Sequence, residues 1–262
     1  MVARLKMKYG LKLKTGITAR LFPAYLFLVG VFLVWTASPA TAQGLQRGVG
    51  GTLSGDLSLI NDIEDGFLPL FNGKNLDGWE QRNGTATFEV VRGTIQGRTT
   101  VGSSSSFLCT LERYGDFDLR FSVKVDEGFK SGIQIRSLSK PGFKEGRVHG
   151  PKVEIESESG LAGYLYSEGT GRGWVSTERK KRDVFKNNDW NQYRILARGT
   201  RIQTWVNGTQ IEDIEMPGIE PRKGFIGLQV HEIGKNQQGP FTVQWQNIRI
   251  QELEALEKKE SK

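Results

Sequence analysis

"DFDLRFSVKV", Asp116 to Val125, decides the fold. Phe117, Leu119, Phe121, Val123 and Val125 take every second position, with Asp118, Arg120, Ser122 and Lys124 between them. A period of two sends alternate side chains to opposite faces of an extended chain, so this is a strand with one buried face. The alternation returns upstream in "TFEVVRGTIQG" (87–97). Downstream it continues in "SGIQIRS" (131–137), "PKVEIES" (151–157), "NQYRILARG" (191–199), "TRIQTWVNGTQIEDI" (200–214), "GFIGLQVH" (224–231) and "FTVQWQNIRIQEL" (241–253). Gly, Pro or Asn separates most of these runs, and Asn207-Gly208 is the dipeptide that a two-residue type I′ hairpin requires. No long segment carries the helical period. The pattern predicts an all-β protein, an antiparallel two-sheet sandwich or jelly roll.

The ends read differently. Residues 1–42 combine a basic start, the apolar run "LFPAYLFLVGVFLVW" and an Ala40-Thr41-Ala42 cleavage pattern, which together predict a cleaved export signal with Gln43 as the mature N-terminus. The expectation is therefore a periplasmic or extracellular protein with no membrane attachment after cleavage. Subtracting the six basic residues of residues 1–42 from the total of 36 leaves 30 against 29 acidic groups, a net charge of +1. That balance removes the main electrostatic argument for nucleic-acid binding. The remaining cluster, Glu178 to Arg182, reads as a solvated loop. Residues 43–66 form a Gly- and Ser-rich lead-in, 67–253 the jelly-roll domain and 254–262 a charged tail. Cys109, the single cysteine, lies in a strand-like run and reads as a buried, inert thiol. No internal disulfide is possible, so stability must come from the core.

Strand parity also sorts the polar residues. With Ile133, Ile135, Val153, Ile155, Tyr193, Ile195, Ile226, Leu228 and Val230 buried, the opposite face presents Gln134, Arg136, Lys152, Glu154, Glu156, Gln229 and His231. Such a face is either a ladder of cross-strand ion pairs or the wall of a site. The segment "GYLYSEGTGRGW" (163–174) adds Tyr166 and Trp174 around a glycine-rich loop, with Tyr164 divided between site and core. Aromatic rings beside such a face suit a sugar, whose apolar ring faces stack while Arg, Gln and Glu bond its hydroxyls. His149, in "GRVHGPK", reads as a surface residue.

"FLPLFNGKNLDGW" (67–79), "YGDFDLRFSVKV", "SGIQIRS", "GPKVEIES", "GYLYSEGTGRGW", "DWNQYRI", "TWVNG", "GFIGLQVH" and "WQNIRIQEL" stand in an order that resembles the DUF1080 family, the 3-keto-disaccharide hydrolase domain. The resemblance covers residues 67–253 and implies a concanavalin/LamG-like jelly roll acting on 3-keto-glycosides. Lys152 stands where members often carry Gln or Glu, and a cation there can pair with Glu154 or Glu156. A 3-keto group acidifies the C2 proton, so a base can remove it and the enolate can expel the group at C1; addition of water then gives net hydrolysis. Glu154 and Glu156 lie two residues apart on one strand, roughly 6.6 Å along the backbone. They do not face each other across a glycosidic bond as ordinary hydrolysis requires.

On this reading His231 is the base or a metal ligand, Glu154 a ligand or base, and Arg136 the oxyanion or hydroxyl contact. Gln134 and Gln229 hold hydroxyls, Lys152 and Glu156 bind substrate, and Tyr166 and Trp174 stack. One divalent metal ion between Glu154 and His231 is the cofactor this arrangement allows. The rival readings are a non-catalytic carbohydrate-binding module and a secreted interaction domain.

Overall fold

The computed structural model describes residues 66–156, 159–216 and 223–254. The expected export signal, nearly all of the expected lead-in and the expected tail beyond Glu254 lie outside these residues. Among the described residues fifteen strands follow in chain order. They are β1 (Leu68–Pro69), β2 (Trp79–Arg82), β3 (Thr87–Val91), β4 (Thr94–Arg98), β5 (Ser106–Thr110), β6 (Phe117–Val125), β7 (Lys130–Ser137) and β8 (Gly150–Glu156). There follow β9 (Leu165–Glu168), β10 (Gly173–Trp174), β11 (Asn191–Arg198), β12 (Arg201–Val206), β13 (Thr209–Glu215), β14 (Phe225–Val230) and β15 (Thr242–Glu252). The one helical turn described is a 3₁₀ segment, Lys144–Gly146. Among the described residues no helix is long and apolar enough to cross a membrane.

The strands form two antiparallel sheets. The first runs β13-β12-β11-β6-β15-β4-β3, with β1 also on β15; the second runs β10-β9-β8-β7-β14-β5-β2. Local chemistry sets the hairpins. Val206 pairs with Thr209 across Asn207 and Gly208, both at positive φ (49° and 81°), the backbone that the Asn-Gly dipeptide predicts. Arg92 and Gly93 make the equivalent turn between β3 and β4 (φ 49° and 78°).

The core lies between the sheets and confirms the parity read from the sequence. Leu119, Val123, Ile195 and Trp245 from the first sheet meet Ile133, Ile135, Val153, Ile155 and Leu228 from the second, all fully buried. Phe121 and Tyr193 stack with ring centroids 5.2 Å apart. The Tyr193 hydroxyl then crosses the core and donates to the Glu154 carbonyl at 3.3 Å. Tyr164 belongs to this core, its hydroxyl accepting from the Lys180 amide at 3.0 Å.

Candidate functional site

The outer face of the second sheet has two halves. Residues 138–149 fold back over one half, joined at their ends by the Leu138–His149 bridge. Val148 is thereby buried against Phe107, Cys109 and Phe225. The Asn83 side chain fixes this flap by accepting from the Val148 amide at 2.8 Å. Cys109 is buried as expected, and burial pushes its thiol far above the ordinary range. His149 departs from expectation: it is buried, its ring centroid 4.0 Å from that of Phe143.

The other half is a cavity of about 290 Å³. Six of the nine expected site residues line it: Lys152, Glu154, Glu156, Tyr166, Trp174 and His231. The register explains the gathering. Glu154 pairs with Gly132, which pairs with Gln229; one row away, Trp174 pairs with Tyr166 and Tyr166 with Lys152. Gly132 has no side chain, and the Lys152 stem fills the gap: a Cβ on Gly132 would stand 2.6 Å from Lys152 Cδ.

Lys152 is the hub. Its Nζ lies 2.9 Å from Glu154 Oε1 and 3.2 Å from Glu168 Oε2. It also sits 5.0 Å from the Tyr166 ring centroid. Burial disfavours the ammonium, but the two carboxylates outweigh burial and raise its pKa above 10.5, so Lys152 stays charged. Glu156 takes its bonds from the neighbouring loop, accepting from the Ser159 hydroxyl and from the Leu161 amide at 3.0 Å. Burial first, and the nearby Glu154 charge second, raise its carboxyl above 4.5. His231 is half-buried at the rim, with Nδ1 3.0 Å from the Glu232 carbonyl oxygen. A carbonyl only accepts, so Nδ1 carries the proton and Nε2 is the basic nitrogen. Tyr166 and Trp174 meet edge to face, centroids 5.5 Å apart.

Three expected residues stand apart. Gln229 flanks the cavity: its Nε2 lies 3.5 Å from Ser105 Oγ, and its buried Oε1 has no hydrogen-bond partner among the described residues. Gln134 is fully buried outside the cavity lining and accepts from Ser137 Oγ at 2.8 Å. Arg136 is the clear correction. A bulge in the β7–β14 pairing leaves it at φ 46°, which breaks the alternation. Its guanidinium reaches Asp116 at 2.8 Å and the Gly115 and Gly199 carbonyls, both at 2.6 Å, tying the two sheets together at one end. Glu168 and Arg147, which also line the cavity, were not foreseen. Glu168 shares parity with Tyr166 and could have been read from it; Arg147 lies on the flap, where no period applies.

A divalent cation between Glu154 and His231 has a poor donor set. Glu154 is already engaged by Lys152, and among the described residues no three His, Cys, Asp or Glu gather to hold a metal.

Comparison with known proteins follows the fold. A model of the 3-keto-alpha-glucoside-1,2-lyase-like domain matches residues 66–251. Among solved structures, a Parabacteroides distasonis ATCC 8503 protein provisionally described as a glycosyl hydrolase is 20% identical, with a TM-score of 0.54 over 74% of this chain and 97% of that one. The Bacillus licheniformis beta-glucanase is 14% identical, with a TM-score of 0.52 over 71% of this chain and 97% of that one. The carbohydrate-binding module CBM66 from Bacillus subtilis is 19% identical, with a TM-score of 0.50 over 66% and 95% of the two chains. At these identities the likenesses establish the jelly-roll fold. No curated protein matches the chain.

Proposed function

The chain belongs to the 3-keto-alpha-glucoside-1,2-lyase-like domain family, and from that premise we propose that it cleaves 3-keto-glycosides by proton abstraction at C2 and elimination at C1, with water addition giving net hydrolysis. The observation that carries this reading is the gathering, in one cavity, of the His231 imidazole, its Nδ1 turned to the Glu232 carbonyl, and the buried Lys152 ammonium. His231 Nε2 takes the C2 proton. Negative charge moves to the oxygen at C3, where the Lys152 ammonium stabilises it; Glu154 and Glu168 hold that ammonium charged and in place. The C1–O bond then breaks, its electron pair leaving on the aglycone oxygen. Glu156, with its raised pKa, is suited to protonate that oxygen. Trp174 and Tyr166 provide the stacking wall.

Lys152 replaces Arg136 as the oxyanion contact, and no step is routed through a metal. Export by way of the sequence at residues 1–42 would place the reaction outside the cytoplasm. The test is a panel of 3-keto-glycosides and the matching unoxidised sugars, with and without chelator. Turnover of the oxidised set alone, insensitive to chelator, is expected. His231→Ala should cut it roughly 10²-fold, the scale of a lost general base, while the folded state is nearly unchanged. Sugar binding without turnover of any member would mark a binding module instead.

A further inference from the structure

A second cleft, of about 290 Å³, shares Glu156 with the Lys152 cavity. Ser159 and Gly160 line one side of it, and the chain from Lys181 to Phe185 the other. The basic run ending at Arg182, expected as a solvated loop, is fastened here at two points. The Lys180 amide donates to the Tyr164 hydroxyl and the Arg182 amide to the Gly160 carbonyl, both at 3.0 Å. Residues 178–186 hold five basic and two acidic residues, in a chain whose charges otherwise nearly balance after residue 42. Arg179 is engaged by the Trp174 ring and the Ser176 carbonyl. Arg182 is not so engaged: its Nε is buried and has no hydrogen-bond partner among the described residues. A buried N–H without an acceptor is costly, and this one calls for an acceptor from outside the chain. The carboxylates of the cleft do not meet the need. Glu156 accepts from the Ser159 hydroxyl and the Leu161 amide and lies 3.7 Å from Lys130 Nζ. Asp183 is exposed and, among the described residues, forms no ion pair with Lys181 or Arg182.

We propose that this cleft seats the leaving group of the elimination reaction and selects one that carries a carboxylate, bound by Arg182. The proposal rests on the elimination reading, in which Glu156 protonates the aglycone oxygen. With the keto sugar in the Lys152 cavity, a group bonded to that oxygen lies beyond Glu156, in the cleft that Glu156 also lines. A neutral hydroxyl could accept from Arg182 Nε but would leave the guanidinium charge and Lys181 unmatched. A carboxylate takes Nε and a second nitrogen of the fork together, and Lys181 adds a positive charge beside it. Phe185, half-buried against Tyr193 with centroids 6.5 Å apart, supplies an apolar wall for the body of the group. A sugar acid and an aromatic acid share this chemistry.

The test compares 3-keto-glucosides that differ only in the charge of the leaving group, in α- and β-linked forms. The sugar pair is 3-keto-glucosyl gluconate against 3-keto-glucosyl glucitol. The aromatic pair is the para-carboxyphenyl against the para-carbamoylphenyl 3-keto-glucoside. In at least one pair the acid should show kcat/KM roughly tenfold or more above its neutral partner, the scale of a charge-assisted contact. The two pairs distinguish a sugar acid from an aromatic one. Arg182→Gln should bring the ratio of acid to neutral close to one, and Arg182→Lys, which keeps the charge and loses the fork, should lower it. Lys181→Gln, at an exposed position, should also lower it and carries the test if neither Arg182 variant folds. Equal turnover within both pairs, or an unchanged ratio in the folded variants, would overturn the proposal. If the parent turns over no keto-glycoside, the elimination reading fails by itself, and calorimetric titration with the same pairs decides the subsite. Tighter binding of an acid, lost in the folded variants, would uphold the carboxylate site; equal binding of acid and neutral partner would overturn it.

Discussion

Gly132 shows how one missing side chain organises the candidate site. It lies between Glu154 and Gln229 in the row across the second sheet, and the Lys152 stem occupies the space its Cβ would take. Gly132→Ala has no backbone reason to misfold, because its φ lies outside the left-handed range. It should instead lift Lys152 from its carboxylates. We expect a stability loss of about 1–3 kcal/mol from overpacking, seen in denaturant melts, together with a drop in turnover larger than any change in KM. Wild-type turnover in a folded Gly132→Ala protein would remove Lys152 from the mechanism. Glu156 offers a pH test. Its carboxyl is raised above 4.5 in the folded state by burial and by Glu154, so the folded protein binds that proton more tightly than the unfolded chain. The stability it contributes is full below pH 4.5 and is lost as pH rises through the raised value. Glu156→Gln, which resembles the protonated form, should gain stability relative to the parent as pH rises from 4.5 towards 7; a difference that stays flat with pH would contradict the shift.

At the scale of elements, strand parity was legible because one buried face enforces a strict period of two. The reading held for β8 and β14, where Lys152, Glu154, Glu156 and Gln229 all stand on the outer face. It held on β7 as far as Ile135 and failed at Arg136, where the bulge inserts an extra residue at positive φ. Alternation cannot reveal a bulge that carries no glycine to mark it. The flap was hidden for another reason: residues 138–149 have no period, and their position depends on Asn83, more than fifty residues away in sequence. His149 was misplaced with it. Leu228 tests the parity that did hold. It is fully buried in the core while its neighbour Gln229 faces outward, so Leu228→Ala should cost about 2–5 kcal/mol in equilibrium unfolding. A near-neutral result would reverse β14 and move Gln229 and His231 away from the cavity.

At the scale of the whole molecule, a chain with one cysteine must hold its two sheets together by packing and a few cross-sheet bonds. Tyr193 to the Glu154 carbonyl, Thr204 to the Gly163 carbonyl and the Arg136 end clamp are such bonds. The inter-sheet core is extensive, whereas among the described residues the buried cluster beneath the flap contains only Phe107, Cys109, Val148 and Phe225. Segments with few buried apolar contacts open at lower free energy than the core they cover. Cys109 reports the difference, because it is fully buried in that small cluster and its thiol is held protonated by burial. In native buffer it should resist alkylation. With rising denaturant, labelling should begin before the loss of tryptophan fluorescence that follows exposure of the fully buried core Trp245. The flap would then open as a unit of its own, taking Arg147 from the edge of the Lys152 cavity and leaving the sandwich intact. Labelling that coincides with the fluorescence transition would instead make the flap part of a single cooperative core, and the four-residue cluster would be as strongly held as the sheets themselves.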